Sequence, residues 1–224
     1  MGGVEGTLRV HAPSCLGEKH IHPLAMEFRR AHPGVTIDLI LEMRNVDLVH
    51  ENFDIAIRYG RIEGQDLVVR RLGFIRRLLA ASPGFIDRVG GVESLEKLSE
   101  IPLVATPIVA PRDVLQLQYE GRSLDLPIRP ALRTNNAAII CRTLLDGHAA
   151  GPVQHLLVAP HLDDGTLVRI LPEYEVRPTE AFFAYPSVRY MRPVVRAFTD
   201  FMIPALRAIE GVDETAPRAL HAAG

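Results

Sequence analysis

Thr7-Leu8-Arg9-Val10-His11-Ala12 runs straight into Pro13-Ser14-Cys15-Leu16-Gly17, and the reading of this junction decides the fold class. Leu8 and Val10 alternate with polar neighbours, the period of a half-buried strand. The Pro-Ser-Cys-Leu-Gly run breaks that period. Ile21, Leu24 and Phe28 then recur on one helical face, with Pro23 in the first turn, where a missing N–H is tolerated. His32-Pro33-Gly34 stops the helix. Val35 to Leu41 is a second strand with Asp38 as its only charge. Asn45 is placed to cap a short helix carrying Val46, Leu48 and Val49. Asp54 to Arg58 is a third strand, ended by Tyr59-Gly60. Strand, helix, strand, helix, strand in one short stretch is parallel α/β construction.

Outward from there the same style continues. Leu67 to Leu72 and Ile75 to Ala81 read as strands, and Ser82-Pro83 opens a short helix. Ser94 to Leu98 reads as another, followed by a strand at Leu103 to Ala105. Leu115 to Tyr119 and Leu124 to Leu126 flank the turn Glu120-Gly121-Arg122 as a hairpin. Ala131 to Thr134 leads to Asn135-Asn136, two good caps for a helix through Leu145 that Gly147 ends. Leu167 to Leu171 and Ala181 to Tyr185 are strands. Val194, Val195, Phe198, Phe201 and Met202 form the apolar face of a last helix after Pro193. Beyond about Leu206 the chain is polar and Ala-rich and is expected to fray. No repeat or flexible linker splits the chain, which favours interleaved lobes over beads on a string.

Composition narrows the function classes. The chain has 224 residues, 47% apolar and 23% charged, the profile of a folded protein rather than a disordered one. Net charge is −2, with 25 basic against 27 acidic residues. A duplex-DNA binder needs a basic excess to neutralise phosphates, and this chain has none. Lys19 and Lys97 are the only lysines, so the basic side chains are nearly all arginine. No apolar run approaches the roughly 20 residues of a membrane helix, and no signal-peptide core opens the chain. Two cysteines, Cys15 and Cys141, make no disulfide framework, which points to a reducing compartment.

Catalytic and cofactor readings are weak. Ser14 and Cys15 lie on a strand-to-helix turn with His20 and His22 nearby, but the surroundings lack the G-x-S-x-G elbow of a serine nucleophile. Binding suits the same turn better, because N–H groups at a helix start and a hydroxyl hold a carboxylate without chemistry. His20-x-His22 puts its rings on one side only in a strand, and His148, His155 and His161 are scattered, so no zinc-type pairing emerges. Neither G-x-G-x-x-G nor a P-loop occurs, which argues against a nucleotide cofactor. Arg70-Arg71 and Arg76-Arg77 form the densest basic cluster, and strand alternation sends at most one arginine of each pair inward. Cys141, beside Ile139 and Ile140, reads as a small core residue.

The order of motifs resembles one family. Gly6 to Pro13, Pro23-Leu24, Phe28 and His32-Pro33-Gly34-Val35-Thr36-Ile37-Asp38-Leu39 are similar to the start of the effector-binding domain of LysR-type transcriptional regulators. Val46-Asp47-Leu48-Val49 followed by Phe53-Asp54-Ile55-Ala56-Ile57-Arg58-Tyr59-Gly60 resembles that family's signature segment. Leu67 to Gly73, Ala81-Ser82-Pro83, Thr134-Asn135-Asn136, Asp164-Gly165-Thr166-Leu167-Val168, Leu171-Pro172 and Pro193 to Phe198 continue it in register to about Met202.

The resemblance implies an α/β, two-lobed fold like that of type II periplasmic binding proteins, with mixed, mostly parallel sheets joined by two crossing strands. Lobe I is then residues 7–80 plus 182–208 and lobe II residues 81–181, with 1–6 and 209–224 flexible. A small polar or carboxylated effector is expected in the cleft, as open α/β sheets bind ligands beyond the carboxyl ends of their strands. Its implied contacts are Pro13, Ser14, Cys15, Leu16, Asn45, Arg58 and Tyr59 from lobe I and Ala105, Thr106, Asn135 and Val153 from lobe II. No catalytic residue, metal or cofactor is implied. The implied partners are the effector, a second copy of the chain facing 21–31 and 35–41 (a tetramer when full-length), and DNA only through an N-terminal winged helix-turn-helix not found in this sequence. The implied location is the cytoplasm. Two departures fall in lobe II: the family's aromatic near Leu115 is missing, and its Gly-Ile-Ala-Leu-Leu-Pro-like run reads Ala150-Gly151-Pro152-Val153-Gln154-His155. A free-standing solute-binding protein of transport type is the alternative, and an enzyme using Ser14 or Cys15 a third.

Overall fold

The structure is a computed structural model and describes residues 4–60, 67–187 and 191–215. The chain forms two compact units, one from Met1–Phe74 with Thr179–Glu214 and one built on Ile75–Pro178. The chain passes between them twice, in the long strands β4 (Leu67–Ala81) and β11 (Glu175–Pro186).

The first unit starts with β1 (Gly6–Ala12), whose Leu8, Val10 and Ala12 are wholly buried. β1 pairs in parallel with β2 (Val35–Leu41) and with β3 (Ile55–Tyr59), and the Thr179–Pro186 part of β11 adds antiparallel to β3. The helix after β1 begins directly at Ser14, earlier than the apolar spacing suggests. It runs as α1 (Ser14–Leu16), a π-helical turn Gly17–Ile21 and α2 (His22–Ala31). The physical reason is Pro23, which cannot donate to the carbonyl four residues back. The His22 N–H reaches back five residues to the Gly17 carbonyl, which opens the wider turn just before the proline. The last helix, α7 (Pro193–Arg207), lays Val194, Val195, Phe198, Met202, Ile203 and Leu206 into the core. Phe198 meets Phe28 of α2 edge to face, 5.1 Å between centroids.

The sequence suggests a short helix after Asn45, but residues 42–54 form turns. Asp47, not Asn45, is the local cap: its carboxylate accepts from the N–H groups of Val49 and His50, both at 3.0 Å. A single turn closed by a side chain competes with helix propagation. β4 is continuous where two strands were expected. Gly73 does not interrupt it; a side chain there would sit 2.6 Å from the carbonyl oxygen of Asp213. That approach comes from β12 (Val212–Asp213), which pairs with β4 in a region expected to be a loose tail. Of the ends expected to be flexible, 1–3 and 216–224 lie outside the described residues.

The second unit has three helical pieces foreseen from sequence: α3 (Pro83–Val89), α4 (Leu95–Glu100) and α5 (Ala137–Leu145). β5 (Leu103–Ala105) pairs in parallel with β8 (Pro130–Arg133). The hairpin β6 (Val114–Tyr119) and β7 (Arg122–Pro127) forms as expected, and β6 also pairs with the start of β11. The 3-10 turn Pro111–Asp113, β9 (Gly151–Gln154) and α6 (His155–Asp163) escape the sequence reading, and β9 lies in the stretch that departs from the family pattern. β9 and the two-residue β10 (Val168–Arg169) both pair antiparallel with the Arg77–Ala81 end of β4. Here Arg77 is buried and Arg76 exposed, as alternation requires.

Candidate functional site

In the first unit three strand ends converge. The parallel register sets Ala12 beside Leu41 and His11 beside Ala56, so β1, β2 and β3 all finish on one side. Pro13 turns the chain there with an extended backbone and offers the helix no side-chain cap. The Ser14 hydroxyl donates to the Leu41 carbonyl at 3.3 Å, tying the helix start to the end of β2. The Cys15 Sγ lies 3.6 Å from the Tyr59 Oη, tying it to the end of β3. Ser14 and Tyr59 are half-buried, whereas Pro13, Cys15 and Leu16 are buried.

Asn45 and Arg58 behave differently. Asn45 stands exposed in the turn segment beyond β2. Arg58 is buried, and its Nη2 donates to the Val46 carbonyl, one residue past Asn45. Burial works against the Arg58 charge, while the nearby carboxylates of Asp47 and Glu51 support it. The structure therefore makes Arg58 a fastening of the segment that carries Asn45.

In the second unit the adjacent ends of β5 and β8 build a second polar turn. Ala105 is buried, and its carbonyl accepts from the Thr134 N–H at 3.1 Å. The Thr106 hydroxyl accepts from the Ile108 N–H, and its carbonyl from Val109 and Ala110. The Thr134 hydroxyl accepts from the Asn136 N–H, and the Asn136 side chain caps α5 through the N–H groups of Ala138 and Ile139. With Asn136 as the cap, the neighbouring Asn135 is left exposed. Val153 is buried on β9 among Leu78, Val104 and Ile140. β9 fits against β5 only because position 151 is glycine: a side chain there would stand 2.3 Å from the Val104 carbonyl oxygen.

Sequence reasoning missed three groups. Arg133 forms a two-pronged pair with Asp113, joining the strand before Thr134 to the loop that leaves Thr106. That guanidinium holds the Asp113 carboxyl below the usual range. Gln154, beside Val153, is buried, and its Oε1 has no hydrogen-bond partner among the described residues. His11 is buried on β1. None has a local signature, since each is defined by what the fold brings over it.

Among the described residues no group of three or more His, Cys, Asp or Glu side chains could hold a metal, and no helix is long and apolar enough to cross a membrane.

Comparison with known proteins identifies the family of the chain. The family model described as the LysR substrate binding domain matches residues 1–207. The HTH-type transcriptional regulator PtxR of Pseudomonas aeruginosa is 27% identical over 199 residues, covering 89% of this chain and 64% of that protein. The HTH-type transcriptional regulator DmlR of Escherichia coli is 30% identical over 199 residues, covering 88% and 64%. The chain thus spans less than two thirds of the length of these curated relatives. The regulatory domain of CrgA, a LysR-type transcriptional regulator from Neisseria meningitidis, superposes with a TM-score of 0.80 at 23% identity, covering 90% of this chain and 99% of that one. With nearly its whole length matched, this chain belongs to the LysR substrate-binding domain family and has its type II periplasmic-binding-protein-like fold.

Proposed function

We propose that this chain is the effector-sensing part of a bacterial transcription regulator of the cytoplasm and that it binds, without altering, a small polar or carboxylated metabolite. The family match over residues 1–207 carries the reading. DNA contact belongs to a helix-turn-helix part outside these 224 residues, in keeping with the net charge of −2. Within the first unit the groups we assign to ligand hydrogen bonding are the helix start at Ser14 and Asn45, and within the second unit Thr106 and Asn135. Charge-assisted bonds contribute about 1.5–3 kcal/mol each. Two or three made in only one state approach the roughly 5.5 kcal/mol that moves an equilibrium from 1:99 to 99:1. Occupancy then biases one of two states of the regulator. Self-association fits the same reading, since β2 ends its sheet and Met26 on α2 is 46% exposed.

A thermal-shift panel of small mono- and dicarboxylic acids tests it. At least one acid should raise the Tm, since a ligand at about 100 times its Kd stabilises by about 2.7 kcal/mol. Ser14→Ala and Asn135→Ala should each diminish that rise. A panel without any shift, or a shift indifferent to both substitutions, contradicts the assignment.

A further inference from the structure

β1 buries a histidine on the face that its pattern assigns to polar residues. His11 follows Arg9 on the side opposite Leu8 and Val10, yet it is 2% exposed. Neither ring nitrogen has a hydrogen-bond partner among the described residues. Its cover is the turn segment between β2 and β3. Phe53 stands edge-on to the imidazole, 5.3 Å between centroids. Val46, Leu48 and Phe53 pack with Ala56, the register partner of His11, and with Ala184 of β11.

The segment carries its own charged ties. Arg44 grips the Glu51 carboxylate at 2.9 and 2.6 Å and also binds Glu42. Asp47 accepts from the His50 ring at 2.9 Å on the exposed side. The charges acting on His11 are Glu42 at the end of β2, Arg44 and Glu51 in the segment, and Arg58 on β3. Arg9, on the same face of β1, is paired with Asp38 and stacks over Phe53. β11 contributes only Ala184 to this cluster. Glu42 and Glu51 favour a proton on His11 while Arg58 and Arg44 oppose it, and both carboxylates are also engaged on Arg44, so burial with no hydrogen-bond partner among the described residues is the main influence on the ring.

We propose that His11 is a positioning residue that keeps the Glu42–Phe53 segment seated only while its imidazole is uncharged, so that protonation releases the segment and moves Asn45 away from the ends of β1, β2 and β3. The consequence for Asn45 rests on the ligand-binding reading above; the latch itself does not. Burial holds the proton affinity of His11 below the ordinary histidine value, so the seated segment resists the charge. The open form takes up one proton more than the closed one, and opening therefore grows about tenfold per pH unit below the ordinary value near 6.5.

The test is amide exchange by NMR on the intact chain without ligand, corrected for intrinsic rates, alongside the His11 ring titration. The amides to follow are Glu51, bonded to the Asp47 carbonyl, and Phe53, bonded to the Leu48 carbonyl. In the wild type their corrected exchange should rise about tenfold per pH unit below 6.5, until it levels off as His11 protonates in the closed form, while β1 amides stay protected. His11→Phe, which keeps an aromatic ring in the same place, should flatten that dependence. His50→Gln should leave it intact, separating the latch from the exposed histidine in the segment. Unchanged protection once the His11 ring is charged overturns the proposal, as does the same pH dependence in His11→Phe. If His11→Phe does not fold, the wild-type comparison of ring midpoint and amide exchange decides alone. No acid is present, so the result is independent of whether the thermal-shift panel succeeds.

Discussion

Residues 11, 17, 136 and 151 show how much a single position can decide. At Gly151 an added methyl group meets the backbone oxygen of Val104 at 2.3 Å, and the backbone cannot step aside. Gly151→Ala should cost roughly 1–3 kcal/mol or more, read from the denaturation midpoint. At Gly17 the clash is with the flexible tip of Leu41, so Gly17→Ala should be milder in the same assay. Asn136→Ala removes the cap on two N–H groups of α5 and should cost about 1 kcal/mol. Asn135→Ala, one residue away and exposed, should leave stability nearly unchanged. His11 gives a pH signature with a definite sign. Its folded-state affinity for a proton is depressed, so the unfolded chain binds the proton first as pH falls through about 6.5. Stability should therefore fall as pH drops below about 6.5, by at most about 1.4 kcal/mol per pH unit, until the folded chain takes up the proton as well. Urea midpoints across that window, with His11→Phe as the flat control, measure it.

At the scale of elements, the π-helical turn Gly17–Ile21 is the feature with the clearest cause. Pro23 breaks the regular bonding pattern, and the His22–Gly17 bond of the wider turn precedes it. The helix can therefore begin at Ser14, where the hydroxyl reaches Leu41 and the thiol reaches Tyr59. Sequence spacing placed that helix later because Ile21, Leu24 and Phe28 describe only its regular half. α7 is the opposite case. Its apolar face was readable in the main, because Val194, Val195, Phe198 and Met202 repeat at helical spacing and are buried, while the fifth expected residue, Phe201, is half-buried. Phe198→Ala removes the partner of Phe28 from a wholly buried place and should cost about 3–5 kcal/mol in chemical unfolding.

Across the whole molecule the chain order and the spatial order differ. The first unit is completed by residues from Thr179 onward, which supply both the antiparallel strand beside β3 and the buried face of α7. Ending the chain at Pro178 should leave the first unit without a cooperative fold, seen as lost dispersion of the Leu8, Val10 and Phe28 signals in NMR. The architecture explains why neither unit reads as a separate bead: the crossings are strands, not linkers, and strands have no compositional break.

Much of this protein is legible in its residues: the strands 7–12 and 35–41, the hairpin around Gly121, the cap at Asn135-Asn136, the closing helix and the family register. Those features depend on local propensity and periodicity, which act between neighbours in the chain. Tertiary structure alone decided that Arg58 fastens a segment from inside, that Val153 is buried among Leu78, Val104 and Ile140, that residues 67–81 form one strand, and that His11 is buried with neither ring nitrogen hydrogen-bonded among the described residues. Burial and hydrogen-bond satisfaction are set by distant parts of the chain folding over a residue, and no window along the sequence contains them.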